Sequence, residues 1–349
     1  MNSVLEALPL QAQDVPAAAP KYTVERYAPD CRAEWDGFIA AGKNATFMFR
    51  RDYMDYHADR FEDHSLVLRK DGQIAALLPA NLRPDGVLVS HQGLTYGGFV
   101  LRRDATLAAV IEIVEAALAF LQAVGVAELV YKRMPRFYNT LPDDDIDYAL
   151  FMLEAKLVRR DCSLVVCGAD RLPVSRGKKS KINKGGRAGL TVVQDERFEP
   201  FWHRVLEPRL RQRFGVRPVH SVEEIGRLAA RLPEHVKQFS AYAGGDIVAG
   251  VTVYETPAVA HMQYIAVTPE GERLCALEFL FDWLMRERYA DKAYFDFGIC
   301  NEREGRVLNR GLLQFKEGFG ARTFAHDHYL IDTGSAARLA ACLQGPAEP

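Results

Sequence analysis

Residues 239–255 carry the sequence FSAYAGGDIVAGVTVYE, in which two apolar runs flank the turn GGD. Apolar runs rich in β-branched and aromatic residues on either side of a glycine turn predict a β-hairpin. Residues 65–82, SLVLRKDGQIAALLPANL, show the same arrangement around Asp71 and Gly72. Each half of the chain is therefore expected to contain one such hairpin.

The elements that follow each hairpin recur at a common distance. Amphipathic periodicity predicts helices over about 104–124 and 269–289, and strands are predicted to start at 127 and 293. The predicted strand starts are 166 residues apart, and so are the helix starts to within a residue. Because a further helix and strand follow in each copy, the order predicts an α/β fold: two similar, mixed α+β domains, each a central mixed sheet flanked by helices.

These patterns divide the chain into four parts. Residues 1–21 are expected to be disordered, 22–169 to form the first domain, 170–334 the second domain with a basic linker at its start, and 335–349 a C-terminal tail. The boundary falls where GADRLPVSRGKKSKINKGGRAG loses hydrophobic periodicity and gains glycine and basic residues. A cleft between the two copies is the expected ligand site.

Composition narrows the class of protein. The 349 residues are 48% hydrophobic with a net charge of −2, which excludes global disorder and a surface that coats nucleic acid.

The cysteines form no CxxC pair and His326 and His328 are the one close histidine pair, so we expect reduced thiols and no metal site. The N-terminus does not resemble a signal peptide and no run of 18 apolar residues occurs, which predicts a cytoplasmic protein without a membrane span.

A basic segment breaks the even distribution of charge. Seven lysines and arginines and no acidic residue lie between Asp170 and Asp195, and the balance reaches +9 when the segment is extended to Arg217. One interpretation is a solvated linker and helix face. The other is recognition of a phosphorylated ligand, such as a nucleotide-linked acceptor, a CoA-type donor or a tRNA backbone.

Two residues of the second half are candidates for chemistry. Lys316 lies near a predicted helix end, where it either interacts with the helix C-terminus or faces the cleft and stabilises negative charge on a carbonyl oxygen during acyl transfer, with Phe315 packed behind it. Alternation in AYFDFGICN places Asp296 on one strand face with Tyr294 and Gly298. That carboxylate is either an ion-pair partner or a group that orients a ligand or accepts a proton.

Other polar residues gather in loops that follow strands, where α/β domains bind ligands. They indicate either turn chemistry and a surface cluster or a substrate site. These candidates are His91, Tyr96, Lys132 and Tyr138 in the first half, and Asn301, Arg306 and Asn309 in the second.

The segments SHQGLTYGGFV, KxxKINKGGRAGL and FDFG…LNRGLLQFKEGFGAR resemble the GNAT-related, Fem-type (FemAB-like) acyltransferases over about residues 22–333. The resemblance implies two GNAT-like domains flanking a substrate cleft, with Phe315 and Lys316 at the reacting centre. It also implies that Lys181, Lys184 or Arg187 helps to hold substrate phosphates. The family includes aminoacyl-tRNA-dependent peptidyltransferases that extend peptidoglycan precursors.

Residues and resemblance together predict an N-acyltransferase. It would move an acyl or aminoacyl group from acyl-CoA or aminoacyl-tRNA to the amine of a phosphorylated sugar-linked or peptide acceptor, in cell-envelope or surface-glycan biosynthesis. Lys316 would stabilise the oxyanion, and Asp296 or a substrate phosphate would receive the proton. No tightly bound cofactor is expected, with acyl-CoA as a co-substrate. The alternative is a non-catalytic module that binds a nucleotide-linked ligand or RNA.

Overall fold

A computed structural model describes residues 21–343, without the side chains of His57 and Phe214. The strands are β1 (Thr23–Arg26), β2 (Glu62–Asp63), β3 (Leu66–Lys70), β4 (Gln73–Leu78), β5 (Asn81–Leu82), β6 (Leu88–Val89), β7 (Val100–Leu101), β8 (Glu128–Lys132), β9 (Lys156–Cys167), β10 (Thr191–Asp195), β11 (Val236–Ala243), β12 (Asp246–Glu255), β13 (Val259–Val267), β14 (Tyr294–Ile299), β15 (Asn301–Glu302), β16 (Val307–Leu308) and β17 (Arg322–Asp332).

The α-helices are α1 (Arg32–Ala41), α2 (Arg51–Met54), α3 (Leu107–Ala123), α4 (Asp145–Met152), α5 (Arg176–Arg187), α6 (Glu199–Phe201), α7 (Glu207–Phe214), α8 (Val222–Arg231), α9 (Pro269–Leu274), α10 (Ala276–Trp283), α11 (Arg310–Glu317) and α12 (Ala337–Leu343). π-Helical turns follow α6 and α10 at Trp202–Leu206 and Leu284–Arg288. Short 3₁₀ turns cover Pro29–Cys31, Phe47–Phe49, Asp55–His57, Arg136–Tyr138 and Thr333–Ala336.

Both predicted hairpins are confirmed. Strands β3 and β4 pair antiparallel around Asp71 and Gly72, and β11 and β12 pair around Gly244 and Gly245. All four turn residues have positive φ angles, between 51° and 95°. Such two-residue turns match the twist of the flanking strands, which explains why glycine occupies three of the four positions.

The last strand of each half pairs with strands of the other half. The large sheet has the order β10-β11-β12-β13-β14-β9-β17-β8-β6-β5-β2, and β1-β3-β4-β7 form a second sheet. Strand β9 lies between β14 and β17, and β17 lies between β9 and β8. The division near residue 170 stays a prediction, but the sheet is continuous across it. Side chains from both halves therefore reach one face of neighbouring strands.

The two predicted amphipathic helices differ. Helix α3 is continuous, begins after the N-cap Thr106, and buries residues such as Val110, Val114 and Leu121 on one face. The continuous helix predicted over 269–289 is wrong, because Cys275 adopts a left-handed conformation with φ of 60° and separates α9 from α10. A residue in that conformation interrupts the regular helical hydrogen bonds.

The basic segment predicted as a linker contains a helix. In α5 the residues Lys178, Ile182 and Gly185 are buried at helical spacing, and Ser175 caps the helix start. The helix packs on α10, where a Cβ atom added at Gly185 would lie 2.7 Å from the Cβ of Phe279. The lost hydrophobic periodicity thus marks a polar helix with a narrow buried stripe.

Part of the segment predicted as a C-terminal tail is helix α12, which packs on α3 and buries Leu339. This corrects that prediction, because the helix buries apolar surface. The disorder predicted for 1–21 falls, apart from Lys21, outside the described residues, and so do residues 344–349. Over residues 21–343, no helix has the length and apolar character needed to cross a bilayer.

Candidate active site

A cavity of about 1000 Å³ lies against strands β14, β9, β17 and β8, in which strands from the two halves alternate. Many of the residues predicted from the sequence line it, which brings candidates from both halves to one place. They are Tyr96, Lys132, Tyr138, Lys181, Asp296, Asn309, Phe315 and Lys316.

The remaining candidates do not line this cavity. Lys184, Arg187 and Arg306 are exposed elsewhere, the first two on α5 beyond the part of the helix that reaches the cavity. His91 and Asn301 are buried behind it. The Asn301 side chain accepts a hydrogen bond from the Cys162 amide at 2.6 Å, and the His91 carbonyl accepts one from the Lys132 ammonium at 3.2 Å.

Asp296 accepts four hydrogen bonds in the cavity wall. Its Oδ1 accepts from the Ser163 hydroxyl and the Gly298 amide, each at 2.8 Å, and its Oδ2 accepts from the Tyr138 hydroxyl at 3.0 Å and from His261 Nδ1 at 2.7 Å. Burial opposes its ionisation, but the interactions with His261, Ser163 and Gly298 outweigh burial and lower the pKa of Asp296. Because both oxygens are fully engaged, the geometry favours an orienting role over proton acceptance.

His261 is a residue that the sequence analysis missed. It lies directly beside Asp296 in the parallel pairing of β13 with β14 and lines the cavity. With Nδ1 donating to the carboxylate, Nε2 of the neutral ring carries a lone pair. The residue stands in the strand HMQYIAV, but only the register of two strands distant in sequence shows that it faces Asp296.

Lys316 lies on α11, whose N-cap Asn309 accepts a hydrogen bond from the Leu312 amide. Its ammonium donates to the carbonyls of Gly298 at 2.9 Å and Ile299 at 2.7 Å, so it faces the strand that carries Asp296 instead of the end of its own helix. Burial lowers the pKa of Lys316 to about 8, against the partial compensation of Asp296. Two of its three hydrogens are used, which leaves one for a substrate oxygen.

Phe315 helps to join α5 to the cavity. The Lys178 ammonium lies 3.5 Å from the centre of the Phe315 ring and 3.0 Å from Glu278 Oε1. Lys181 reaches the same carboxylate oxygen at 3.3 Å. These contacts fix the inner edge of α5. Of the three basic residues suggested by the resemblance, Lys181 lines the cavity, whereas Lys184 and Arg187 do not.

The glycines of SHQGLTYGG allow close packing within the protein. A Cβ atom at Gly97 would lie 1.8 Å from the Ser90 carbonyl oxygen, and one at Gly98 would lie 2.4 Å from the Tyr131 hydroxyl. The segment also forms hydrogen bonds with Lys132. In one of them the Lys132 amide donates to the Ser90 hydroxyl at 2.7 Å. It therefore positions Lys132 in the cavity wall.

Four further cavity residues were missed. Arg159 and Asp161 alternate along β9, and His326 and His328 alternate along β17, so each pair points to one face. In the antiparallel register His326 lies opposite Asp161, and His328 lies opposite Arg159. The alternation was visible in the sequences RRDCS and AHDHY, but the pairing of these two strands was not.

Comparisons with known proteins agree with this fold. Residues 175–315 match the family model described as an acetyltransferase (GNAT) domain. The structure is similar to FemX, with 11% identity and a TM-score of 0.63 over 91% of this chain and 99% of that chain. It is also similar to L-PGS from Bacillus licheniformis, with 14% identity and a TM-score of 0.55 over 93% of this chain and 99% of that chain. No curated protein matches the chain.

The class of protein follows from these findings. The structural similarities confirm a Fem-like fold, and the family match places a GNAT domain in the second half of the chain, where Lys316 immediately follows the matched residues. The GNAT domain match over residues 175–315 supports the N-acyltransferase activity predicted from the sequence.

Proposed function

We propose that the protein transfers an activated acyl or aminoacyl group to the amine of a phosphorylated, sugar-linked or peptide acceptor in cell-envelope or surface-glycan biosynthesis. The observation that carries the proposal is the convergence of His261, Asp296 and Lys316 on one cavity. A base, a group that orients the base and a cation for the oxyanion are the parts that acyl transfer to an amine requires.

In the proposed reaction the amine nitrogen attacks the carbonyl carbon of a thioester or ester. The nitrogen–carbon bond forms, and Lys316 donates its remaining hydrogen bond to the carbonyl oxygen as negative charge develops. Nε2 of His261 takes the proton that the nitrogen loses, while Asp296 holds the ring through Nδ1. The carbon–sulfur or carbon–oxygen bond then breaks, and the leaving thiolate or alkoxide receives that proton.

The donor is proposed to enter where Lys181 and Arg209 line the cavity, because CoA and the 3′ end of a tRNA both carry phosphates. Each cation is already paired, Lys181 with Glu278 and Arg209 with Glu272. These pairs keep the entrance close to neutral until a phosphate competes for the cation. Holding two substrates together supplies much of the acceleration, since the donor is already activated.

The test is an acyl-transfer assay with the full chain. Acetyl-CoA, longer acyl-CoAs and charged tRNA are offered with nucleotide-linked amino sugars and amino-terminal peptides, and amide products are detected by mass spectrometry. We expect an amide product whose rate falls about 100-fold or more in His261→Gln, the scale of general base catalysis. His203→Gln is the matched control, because His203 is exposed outside the cavity.

The result separates the possibilities. Activity with charged tRNA that falls steeply with salt identifies the tRNA donor, because many phosphate contacts are involved. Activity with a thioester and a shallow salt dependence identifies acyl-CoA. The absence of amide product from every donor, or full activity of His261→Gln, would refute the proposal.

A further inference from the structure

A second cluster of polar side chains lies in the cavity, away from His261 and Lys316. It is formed on one face of three neighbouring strands, β8, β17 and β9. Lys132 lies opposite His328, His328 lies opposite Arg159, and His326 lies opposite Asp161. Residues opposite each other in antiparallel strands share a face of the sheet, and all five line the cavity.

Each histidine of this cluster has one ring nitrogen without a hydrogen-bond partner in the described part of the chain. Nε2 of His326 and Nε2 of His328 are shielded from solvent and make no hydrogen bond within the described part of the chain. The His326 side chain is nearly fully buried, and the two rings lie 5.2 Å apart. Buried polar nitrogens are nearly always hydrogen-bonded in folded proteins, so two such atoms on one cavity wall are available to a ligand that enters the cavity.

Lys132 adds a positive charge without a counter-ion. Its buried ammonium donates to the backbone carbonyls of His91 and Leu94, and over residues 21–343 it forms no ion pair with a carboxylate. Burial, and then the charge of Arg159, lower the pKa of Lys132 to about 7, although the nearby Asp161 carboxylate partly opposes them. An anion in the cavity would offset the cost of keeping this group charged.

Asp161, His326 and His328 also have the composition of a divalent cation site. However, the Asp161 carboxylate already accepts hydrogen bonds from Arg159 at 2.9 Å and from Asn301 at 2.6 Å. A metal ion would have to share that carboxylate with a guanidinium and lie near the Lys132 ammonium. The charges of the cluster therefore favour an anion over a cation.

We propose that Lys132, His326 and His328 form a subsite for an anionic group of the acceptor, a carboxylate or a phosphate. This inference rests on the proposed function, because it takes the amine of the same acceptor to lie at His261. Strand β17 is two strands away from β14, which carries Asp296, so the anion would bind roughly 10 Å from the reacting centre. The acceptor class is therefore an amine that carries a carboxylate or phosphate within about that distance.

The experiment measures binding without turnover. Thermal unfolding of the full chain is followed during titration with inorganic phosphate and, separately, with acetate, at constant ionic strength and with no acyl donor. A ligand that binds the folded state raises Tm in a saturable manner. We expect saturation in the wild type, and an apparent affinity at least about 5-fold weaker in Lys132→Met and in the double variant His326→Asn/His328→Asn, as each loses a major contact.

Matched controls decide the location. Lys70→Met removes an exposed lysine outside the cavity, and His203→Asn removes an exposed histidine; both should bind the anion as the wild type does. Saturation by phosphate alone or acetate alone supports the inference and identifies the group. The inference is overturned if Lys181→Met loses the response while Lys132→Met keeps it, or if neither anion gives a saturable shift. Stabilisation by Zn²⁺ that requires both histidines, without a response to anions, would replace it with a metal site. An enzyme that transfers acyl groups yet binds neither anion refutes this inference alone.

Discussion

The two sides of the cavity differ in how far their polar atoms are satisfied. Around Asp296 each carboxylate oxygen accepts two hydrogen bonds, and His261 is held by one of them. Around His326 two imidazole nitrogens have no partner. A saturated group keeps its orientation whether or not substrate is bound, whereas an unsaturated one gains a partner when a ligand arrives. The difference fits our proposals that the first side performs the chemistry and the second binds the acceptor.

Of the changes considered, Asp296→Asn on the saturated side should have the largest effect on kcat. In Asp296→Asn the amide group cannot accept all four hydrogen bonds, and the His261 ring loses the carboxylate that sets its tautomer. We expect kcat to fall roughly 10³-fold or more, by analogy with the loss of an orienting carboxylate in other enzymes. Steady-state kinetics and circular dichroism test this together. A folded variant within 5-fold of the wild type would contradict the orienting role.

Lys316→Met keeps the length of the side chain but removes the ammonium. We expect a fall in kcat of roughly 10²-fold, the size of one lost oxyanion donor. The pH profile gives a second readout: the pKa of Lys316 is about 8, the ammonium is the active form, and wild-type activity should therefore decline as pH rises through about 8. The residual activity of Lys316→Met should lack that decline. An unchanged alkaline limb in the variant would exclude Lys316 as its source.

A smaller effect is expected from Tyr138→Phe, which removes one of the four donors to Asp296. A hydrogen bond to a charged group contributes about 1.5–3 kcal/mol, and the three other donors remain, so kcat should fall about 10-fold. KM should change less than 2-fold, because Tyr138 positions Asp296 through its hydroxyl. A change confined to KM would show that Tyr138 binds substrate directly.

The unsaturated side predicts a loss of stability in acid. Burial lowers the pKa of His326 to about 3 and that of His328 to about 4, whereas an unfolded histidine titrates near 6.5. Between pH 6.5 and 4 the unfolded state therefore binds more protons, and stability falls as pH falls. His326→Asn/His328→Asn should flatten this slope by up to about 1.4 kcal/mol per pH unit for each histidine. Chemical denaturation at pH 6.5, 5.5 and 4.5 measures it, with His203→Asn as control; equal slopes would contradict the assignment.

Local patterns predicted most of the fold and part of the site. The hairpins, helix α3 and the cavity positions of Lys316 and Asp296 follow from turn residues, helical spacing and strand alternation, which act over a few residues. His261 and His326 were missed because their neighbours are set by the order β14-β9-β17-β8. No short-range pattern encodes that interleaving of two halves.

The basic segment also shows that a sequence pattern does not determine which side chains face the cavity. Its charge was plain in the sequence, but helix α5 turns Lys178 inward onto Phe315 and leaves Lys184 and Arg187 exposed. Two further cations of the cavity, the buried Lys132 and the partly exposed Arg159, lie in strands β8 and β9. Charge density along the chain therefore located part of the charge that faces the cavity, at Lys181 and Arg209, but not that of Lys132 and Arg159.

Chemical rescue of His261→Ala tests the central claim most directly, because it replaces the base without altering the rest of the cavity. We expect kcat to fall about 100-fold or more and added imidazole to restore part of it in a saturable manner, since the small base can enter the space beside Asp296. His203→Ala should neither lose activity nor respond to imidazole. Near-wild-type activity of His261→Ala, or a deficit that imidazole leaves unchanged in a folded protein, would contradict the role of His261 as the base.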